Sequence, residues 1–253
     1  MPPPTLQPPS SSALTPTPLT RPSFAPFGTA IIPPLPRTFT SPPNSLSTHL
    51  KHDLVPEPVA ANQFSALKYS PISPLTDNYG QSASGVSSEG RLSMFSCFPR
   101  NLRKEKSGSG EKAVFDVRIL ERHPYTTQTF SPLGLGADDQ ETYFLVIVAP
   151  SLKGQTALVT TDSGEQIFIR DPPDLCQLKA FVARGDQAVT YGAGTWHAPM
   201  VVVGKRRVDF LVVQFVNGVA EDDCQEVKVG EGVVVDLGLA GGRSVGEGGR
   251  AKL

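Results

Sequence analysis

Two short segments far apart in the chain contain the residue types best suited to chemistry. One reads LERHPYTTQTFSPL and contains Glu121, His123 and Gln128, and the other reads GDQAVTYGAGTWHAPM and contains His197. Alternate residues of a strand point to the same side, so Glu121 and His123 should share a face, to which Gln128 can return from the next strand. Imidazole beside carboxylate suits proton transfer near neutral pH, and these groups together also suit a divalent metal.

Each histidine alone has an ordinary structural explanation, because a buried histidine is more often a hydrogen-bonded core residue than a ligand. The two segments considered together favour function. Glu121 lies two residues before His123, and the bend GAG places His197 directly after a tight turn. We therefore predict that His123 and His197 meet in one site.

The elements that must position these residues are predicted to be strands. From Arg91 onward, short runs rich in Val, Ile, Phe and Leu alternate with turn signals, as is typical of a β-sandwich or barrel. No sustained helical period follows residue 30, which argues against a doubly wound α/β fold. Residues 100–112 and 150–164 are polar and are predicted to be exposed loops. Strands are predicted near residues 92–98, 114–121, 126–131, 143–149, 165–169, 178–182, 187–191, 199–203 and 208–216.

The ends of the chain differ in composition from its middle. The first residues are rich in Pro, Ser and Thr and have too little apolar surface to offset the entropy of ordering, although a transit peptide is an alternative. Thr20 can cap a short helix that Gly28 ends. Val233–Asp236 could add an edge strand. Residues 1–17 are predicted to be a disordered extension. Residues 18–229 are predicted to form a single domain with loose insertions near residues 33–58 and 71–90, and residues 230–253 a flexible Gly-rich tail.

The composition argues against several classes of function. Lys and Arg total 23 against 24 Asp and Glu, and nucleic-acid binding is not expected because phosphate contacts need clustered cations. The three cysteines form no CxxC pair, which favours a reduced intracellular protein. The longest apolar run, residues 143–149, is too short to span a bilayer, so no membrane partner is expected.

The two segments resemble the two half-motifs of the cupin barrel, in which four inward side chains bind a divalent metal. The resemblance implies an all-β, cupin-like barrel or jelly roll, with His123, Gln128 and His197 as metal ligands. Glu121 stands where that motif has its first His, and Gln128 stands where it has Glu. These replacements imply weaker metal binding than three His and one Glu would give.

A more specific resemblance is to the ureidoglycolate lyase family of allantoin breakdown. It rests on the two segments above together with ETYFLVIVAP and VDFLVVQF, and on PLTRPSFAPFGTAI, NQFSALKY and MFSCFPR, which resemble earlier blocks of the family. It covers about residues 18–226. It implies cleavage of ureidoglycolate to glyoxylate and urea, a homodimer, and a divalent metal such as nickel in some members, with no organic cofactor.

The implied reaction needs a base for the hydroxyl proton, an acid for the departing nitrogen, and donors or a cation for the carboxylate. Arg122 alternates with its two neighbours and is expected to point away from the site. Trp196 is expected to pack in the core, with a pocket wall as the alternative. The expected catalytic residues are His123 and Glu121 in proton transfer, and His197 as a metal ligand or a donor to the substrate oxygen. Gln128 is expected to bind the ureido group or the metal, and Arg100 and Lys68 the carboxylate.

The predicted scaffold is compatible with other functions, and the C-terminus carries a possible targeting signal. The same scaffold could carry an isomerase or epimerase of small acids or sugars, or a non-catalytic ligand-binding protein, since fold does not fix function. The chain ends in Ala-Lys-Leu, a close variant of the Ser-Lys-Leu peroxisomal signal, after a Gly-rich run. A peroxisomal location is therefore predicted, with a chance tripeptide and a cytoplasmic location as the alternative.

Overall fold

The structure is a computed structural model that describes residues 3–43, 55–108, 110–161 and 164–239. Within these ranges almost all regular structure is strand, and the two α-helices are single turns. The prediction of an all-β fold class is confirmed, and the strand arrangement is consistent with a cupin-like fold. In this part of the chain, no helix has the length and apolarity needed to cross a membrane.

The strands of the described ranges are, in chain order, β1 (Thr5–Leu6), β2 (Ser12–Leu14), β3 (Thr17–Pro18), β4 (Gly28–Ile31), β5 (Val59–Ala61), β6 (Ala66–Lys68), β7 (Glu89–Cys97), β8 (Arg103–Ser107), β9 (Gly110–Asp116), β10 (Ile119–Arg122), β11 (Gln128–Leu133), β12 (Tyr143–Ala149), β13 (Thr156–Thr160), β14 (Gln166–Arg170), β15 (Lys179–Ala183), β16 (Ala188–Tyr191), β17 (Trp196–His197), β18 (Val201–Val203), β19 (Val208–Val216), β20 (Gln225–Val229) and β21 (Val233–Leu239). The helices are α1 (Arg21–Phe24) and α2 (Ala220–Asp223), and a 3-10 turn spans Tyr79–Gln81.

Three sheets build the fold. The central sheet has the order β1-β20-β10-β17-β12-β15-β3, and β18 also pairs with β12. A five-stranded sheet has the order β4-β16-β11-β19-β7, and a four-stranded sheet has the order β2-β21-β9-β8. The hairpins β13–β14 and β5–β6 pair only within themselves among the described strands.

Strand β12 explains how the layers are arranged. Its even-numbered residues, such as Phe144 and Val146, belong to a first core shared with the five-stranded sheet, where the ring of Phe144 lies 5.1 Å from that of Phe210. Its odd-numbered residues, such as Leu145 and Ile147, belong to a second core shared with the four-stranded sheet. Because both faces of β12 are buried, its sequence is an unbroken apolar run rather than an alternating one.

Two segments predicted to be loops contain strands instead. Within residues 100–112, β8 pairs with β9, and Lys112 lies 3.4 Å from Glu105 directly across the hairpin. Such cross-strand ion pairs stabilise a polar ribbon that apolar alternation cannot reveal. Within residues 150–164, β13 pairs with β14 and directs Val159 into the second core.

The N-terminal segment, predicted to be disordered, is also ordered from Pro3 onward. Strands β1, β2 and β3 add in parallel to β20, β21 and β15. Leu6 and Leu14 pack against the second core, so a few apolar residues and main-chain hydrogen bonds to existing sheets order a Pro-rich stretch. In the predicted tail, β21 lies between β2 and β9 rather than at an edge. Residues 44–54 and 240–253, including the predicted signal, lie outside the described residues.

Helix α1 begins where the sequence predicts. Thr20 is its N-cap, and the side chains of Thr20 and Ser23 form a reciprocal capping box. The helix ends earlier than expected, at Phe24, and Gly28 instead begins β4 with φ of +146°. Phe24 anchors the turn in the first core, with its ring 5.7 Å from that of Phe181.

Candidate active site

Neighbouring strands of the central sheet bring Glu121 and His197 together. Glu121 on β10 is the register partner of His197 on β17. Their chain neighbours Leu120 and Trp196 enter the second core, so Glu121 and His197 point the other way, towards the five-stranded sheet. The Nε2 atom of His197 lies 3.4 Å from Oε1 of Glu121, and the His197 side chain is only 1% exposed.

His123 reaches the same place from the end of β10. Its ring centroid lies 5.5 Å from that of His197, and its Nδ1 atom lies 2.6 Å from the main-chain oxygen of Asp223. The contact with Asp223, at the end of α2, fixes the plane of the His123 ring. The structure therefore brings together the two histidines that the sequence places in separate segments.

The facing wall is a row of side chains across three strands of the five-stranded sheet. Tyr191 on β16, Gln128 on β11 and Gln214 on β19 are register partners in turn, and therefore share one face. The ring of Tyr191 stacks on that of His197, with centroids 3.9 Å apart and planes 12° apart. The amide Nε2 of Gln128 donates to Oε1 of Gln214 at 2.5 Å.

The hydrogen bonds of the two imidazoles define which nitrogen carries the proton. Nδ1 of His123 faces the carbonyl of Asp223, and Nδ1 of His197 lies 3.0 Å from the carbonyl of Thr195. A carbonyl only accepts, so each Nδ1 donates, and in the neutral form of this tautomer Nε2 carries the lone pair. Among the described residues, Nε2 of His123 and Oε1 of Gln128 are buried and form no hydrogen bond, and Nε2 of His197 is buried with only the 3.4 Å contact to Oε1 of Glu121.

Charge and burial set the protonation of the cluster. Burial acts to raise the pKa of Glu121, but contact with His197 and the nearby His123 outweigh it, and the pKa lies below its usual value. Burial, and secondly His197, lower the pKa of His123. Burial and the charge of Glu121 raise the pKa of the Tyr191 phenol. At neutral pH the cluster therefore contains an ionised carboxylate beside a neutral His123.

These groups fit a divalent metal. One ligand atom from each of Glu121, His123 and His197 lies within 4.8 Å of the others, and the open Nε2 lone pairs are the atoms that a metal would take. Histidines that bind metals commonly donate their second ring N–H to a main-chain carbonyl, as both do here. A second group shares Glu121 with Cys224 and Glu226. Burial raises the pKa of the Cys224 thiol to about 12, so the thiol stays protonated and is a poor ligand.

Comparison with known proteins gives the chain its family. The family model described as ureidoglycolate lyase matches residues 11–236. This chain belongs to the ureidoglycolate lyase family. The ureidoglycolate lyase of Schizosaccharomyces pombe is 36% identical over 207 residues, which are 82% of this chain and 86% of the relative. That of Saccharomyces cerevisiae is 33% identical over 222 residues, 85% and 94% of the two chains.

A bacterial relative matches a smaller part of the chain. The ureidoglycolate lyase of Pseudomonas fluorescens is 37% identical over 97 residues, which are 38% of this chain and 43% of the relative. The family resemblance predicted from the sequence motifs is thus confirmed. The family match begins at residue 11, inside the stretch predicted to lie before the domain.

The neighbours of the site residues in the sequence have structural roles on the opposite face. The guanidinium of Arg122 lies 4.6 Å from the Trp196 ring centroid and donates to Gln225 and to the carbonyls of Arg170 and Asp171. Trp196 is fully buried, as predicted for a packing residue. A groove of about 1220 Å³ lies on this side of the sheet, and its lining includes Arg122 and Trp196 but neither imidazole of the cluster.

The two cations expected to bind the substrate carboxylate lie elsewhere. Arg100 is exposed and its guanidinium lies 5.4 Å from the ring of Phe115, which belongs to the second core. Lys68 is exposed on β6, in the separate hairpin. Within the described ranges, no contact joins either side chain to Glu121, His123 or His197.

Three residues of the site are not predicted by the sequence patterns: Tyr191, Gln214 and Asp223. Gln214 had a detectable signal, because it continues the inward positions of β19 after the buried Phe210 and Val212. A polar residue at a core position needs a partner and marks a site. Asp223 had no such signal, since its main-chain oxygen, rather than its side chain, contacts His123.

Proposed function

We propose that this member of the ureidoglycolate lyase family cleaves ureidoglycolate to glyoxylate and urea at the cluster of Glu121, His123, His197 and Gln128. The observation that carries the proposal is the convergence of two buried imidazole Nε2 atoms on one carboxylate, with the unpaired Oε1 of Gln128 on the side of His123. Unpaired buried polar atoms cost free energy, and they persist where a ligand pairs with them. The reaction belongs to allantoin degradation, a part of purine catabolism.

Glu121 is the proposed base. The reaction removes a proton from the hydroxyl of ureidoglycolate, forms the C=O bond of glyoxylate, breaks the C–N bond, and adds a proton to the departing nitrogen. Glu121 is ionised at neutral pH, so it can take the first proton and return it to the nitrogen. One carboxylate then serves both transfers, and atoms and charge balance without another reactant.

The other residues of the cluster bind and orient. Oε1 of Gln128 can accept a hydrogen bond from an N–H of the ureido group, since it has no partner among the described residues. His123, His197 and one carboxylate oxygen of Glu121 would hold a divalent cation such as nickel, which would supply positive charge for the carboxylate and hydroxyl oxygens of the substrate. The second oxygen of Glu121 would then be the base. Stacking on Tyr191 holds the His197 ring in its plane.

The decisive experiment is incubation of the purified full chain with ureidoglycolate, with urea and ammonia assayed separately. Release of urea without ammonia supports the lyase, whereas ammonia release would move the chain to the amidohydrolases. A folded protein without turnover would indicate a binding protein. Loss of activity on chelation, with recovery on adding Ni²⁺ or Mn²⁺, would support the cation.

A pair of variants tests the role of Glu121. Glu121→Gln keeps the shape but removes the base, and kcat should fall by about 10²- to 10⁴-fold. Glu226→Gln is the matched control, because Glu226 is the register partner of Glu121 on β20 but is exposed. Equal losses in the two variants would contradict the assignment. The expected homodimer can be checked by light scattering of the same preparation.

A further inference from the structure

The amide of Gln128 is buried and is held from one side only. Gln128 is 4% exposed, and its Nε2 donates to Oε1 of Gln214. Its own Oε1 lies on the side of His123 and forms no hydrogen bond among the described residues while that ring is neutral, because the Nε2 of His123 is then also an acceptor. The two glutamines lie directly opposite each other on β11 and β19. Gln214 therefore accounts for the amino end of the Gln128 amide and leaves the carbonyl end for the site.

This orientation is unfavourable unless a ligand is bound. Glu121 and the Nε2 lone pairs of the neutral imidazoles are themselves acceptors, and Gln128 lies within hydrogen-bonding reach of His123, so an amino group turned that way would find a partner. Instead, the amide presents a fourth acceptor to a cluster that already has three. Such a set of acceptors suits a ligand that brings hydrogen-bond donors or positive charge. The Oε1 atom of Gln214 keeps the Gln128 amide in this orientation, because it accepts the hydrogen bond from Nε2.

We propose that Gln214 is a positioning residue that fixes the direction of the Gln128 amide and thereby selects substrates with an N–H group. This inference rests on the proposed function, since the ureido group of the substrate supplies that N–H. Gln214 acts only through Gln128. Its contribution should therefore appear as affinity for the ureido group, whereas affinity for the hydroxy-acid part should be unaffected.

Two substitutions separate the direction of the hydrogen bond from its mere presence. Gln214→Glu leaves only acceptor oxygens, which still take the Nε2 hydrogen of Gln128 and keep its carbonyl towards the site. Gln214→Met has a similar length but offers no comparable acceptor, so the Gln128 amide can turn its amino end towards Glu121 and the imidazoles. The glutamate variant should therefore behave like the wild type, and the methionine variant should not.

The test uses calorimetry with two ligands that do not react, on the full chain loaded with the same cation as the wild type. N-carbamoylglycine has the ureido group and carboxylate but no hydroxyl, and glycolate has the carboxylate and hydroxyl but no ureido group. Gln214→Met should weaken N-carbamoylglycine binding about 10-fold, the effect of one lost hydrogen bond, and leave glycolate binding unchanged. Gln214→Glu should keep both affinities within about threefold.

The outcomes distinguish this inference from the proposed function. Equal loss of N-carbamoylglycine affinity in the two variants, with wild-type melting curves, would overturn the role of hydrogen-bond direction. Equal weakening of both ligands by Gln214→Met would also overturn it, because that result indicates general loosening of the site. Failure of the wild type to release urea would overturn the proposed reaction, and the binding comparison would still test Gln214.

Discussion

Replacement of Tyr79 by Phe should weaken both the fold and the site. The Tyr79 hydroxyl lies 2.7 Å from Oδ1 of Asp223 and 3.1 Å from the carbonyl of Phe215, and the residue is 2% exposed. The hydroxyl has one proton, and the carboxylate is the stronger acceptor. The same Asp223 presents its main-chain oxygen to His123, so the Tyr79 hydroxyl supports the loop that orients a site imidazole.

The magnitude follows from what remains after the hydroxyl is removed. Asp223 keeps two main-chain donors, Asn217 N and Gly218 N, each at 2.8 Å, so its carboxylate is not left without partners. The loss is then one buried hydrogen bond to a charged group, or about 2 kcal/mol of unfolding free energy. For a domain of this size that corresponds to a decrease in melting temperature of about 4–8 °C.

The assay is denaturant unfolding of the wild type and Tyr79→Phe, followed by kcat and KM for urea release. Tyr125→Phe is the matched control, since its ring lies 5.7 Å from that of Tyr79 and no hydrogen bond of its hydroxyl is seen in the described part of the chain. It should change stability by less than about 0.5 kcal/mol. Equal stability of Tyr79→Phe and the wild type would refute the argument that this hydroxyl is a structural donor.

Three further predictions concern stability. Burial raises the pKa of both Tyr79 and Tyr191 above the usual 10.0. The stability that they contribute is therefore present below about pH 10 and is lost as pH rises. Denaturant unfolding at a series of pH values above 10 should show this loss, and unfolding free energy should fall less steeply with pH in Tyr79→Phe. Trp196→Phe loses the indole donor to the carbonyl of Asp171 at 2.9 Å and part of a fully buried side chain, and should lower unfolding free energy by about 2–3 kcal/mol. Gly28→Ala would put a Cβ 2.0 Å from the Thr190 oxygen and should cost more than about 3 kcal/mol by chemical unfolding, whereas Gly85→Ala, with open space around it, should cost about 1 kcal/mol.

The sequence predicts more of the candidate site than of the strands around it. Alternation along β10 correctly separates Arg122 from Glu121, and the Gly-rich bend correctly places a tight turn just before Trp196 and His197, although the short strand there is not predicted. The pairing of β10 with β17 depends on a long-range register, which local patterns do not encode. Positive charge alone does not position a residue, and Arg100 and Lys68 are exposed and have no contact with the cluster among the described residues.

The strands that the sequence does not predict are stabilised by interactions that leave no apolar pattern. β8 is stabilised by ion pairs such as Lys112–Glu105, and β1 and β2 by hydrogen bonds to sheets that form from distant segments. Neither source of stability produces the apolar alternation on which strand prediction depends. Pro-rich composition is likewise a poor guide where the neighbouring sheet supplies the missing partners.

The central sheet has a consequence for how the site meets its ligand. Strands β10 and β17 carry Glu121 and His197 on one side and the fully buried Leu120 and Trp196 on the other. Glu121 and His197 are therefore held by paired strands with a fully buried reverse side, rather than by loops that must settle on binding. Binding then costs mainly the translational and rotational entropy of the ligand, because few protein side chains have to be ordered. Such preorganisation lets a small substrate with few contacts bind at a modest entropic cost.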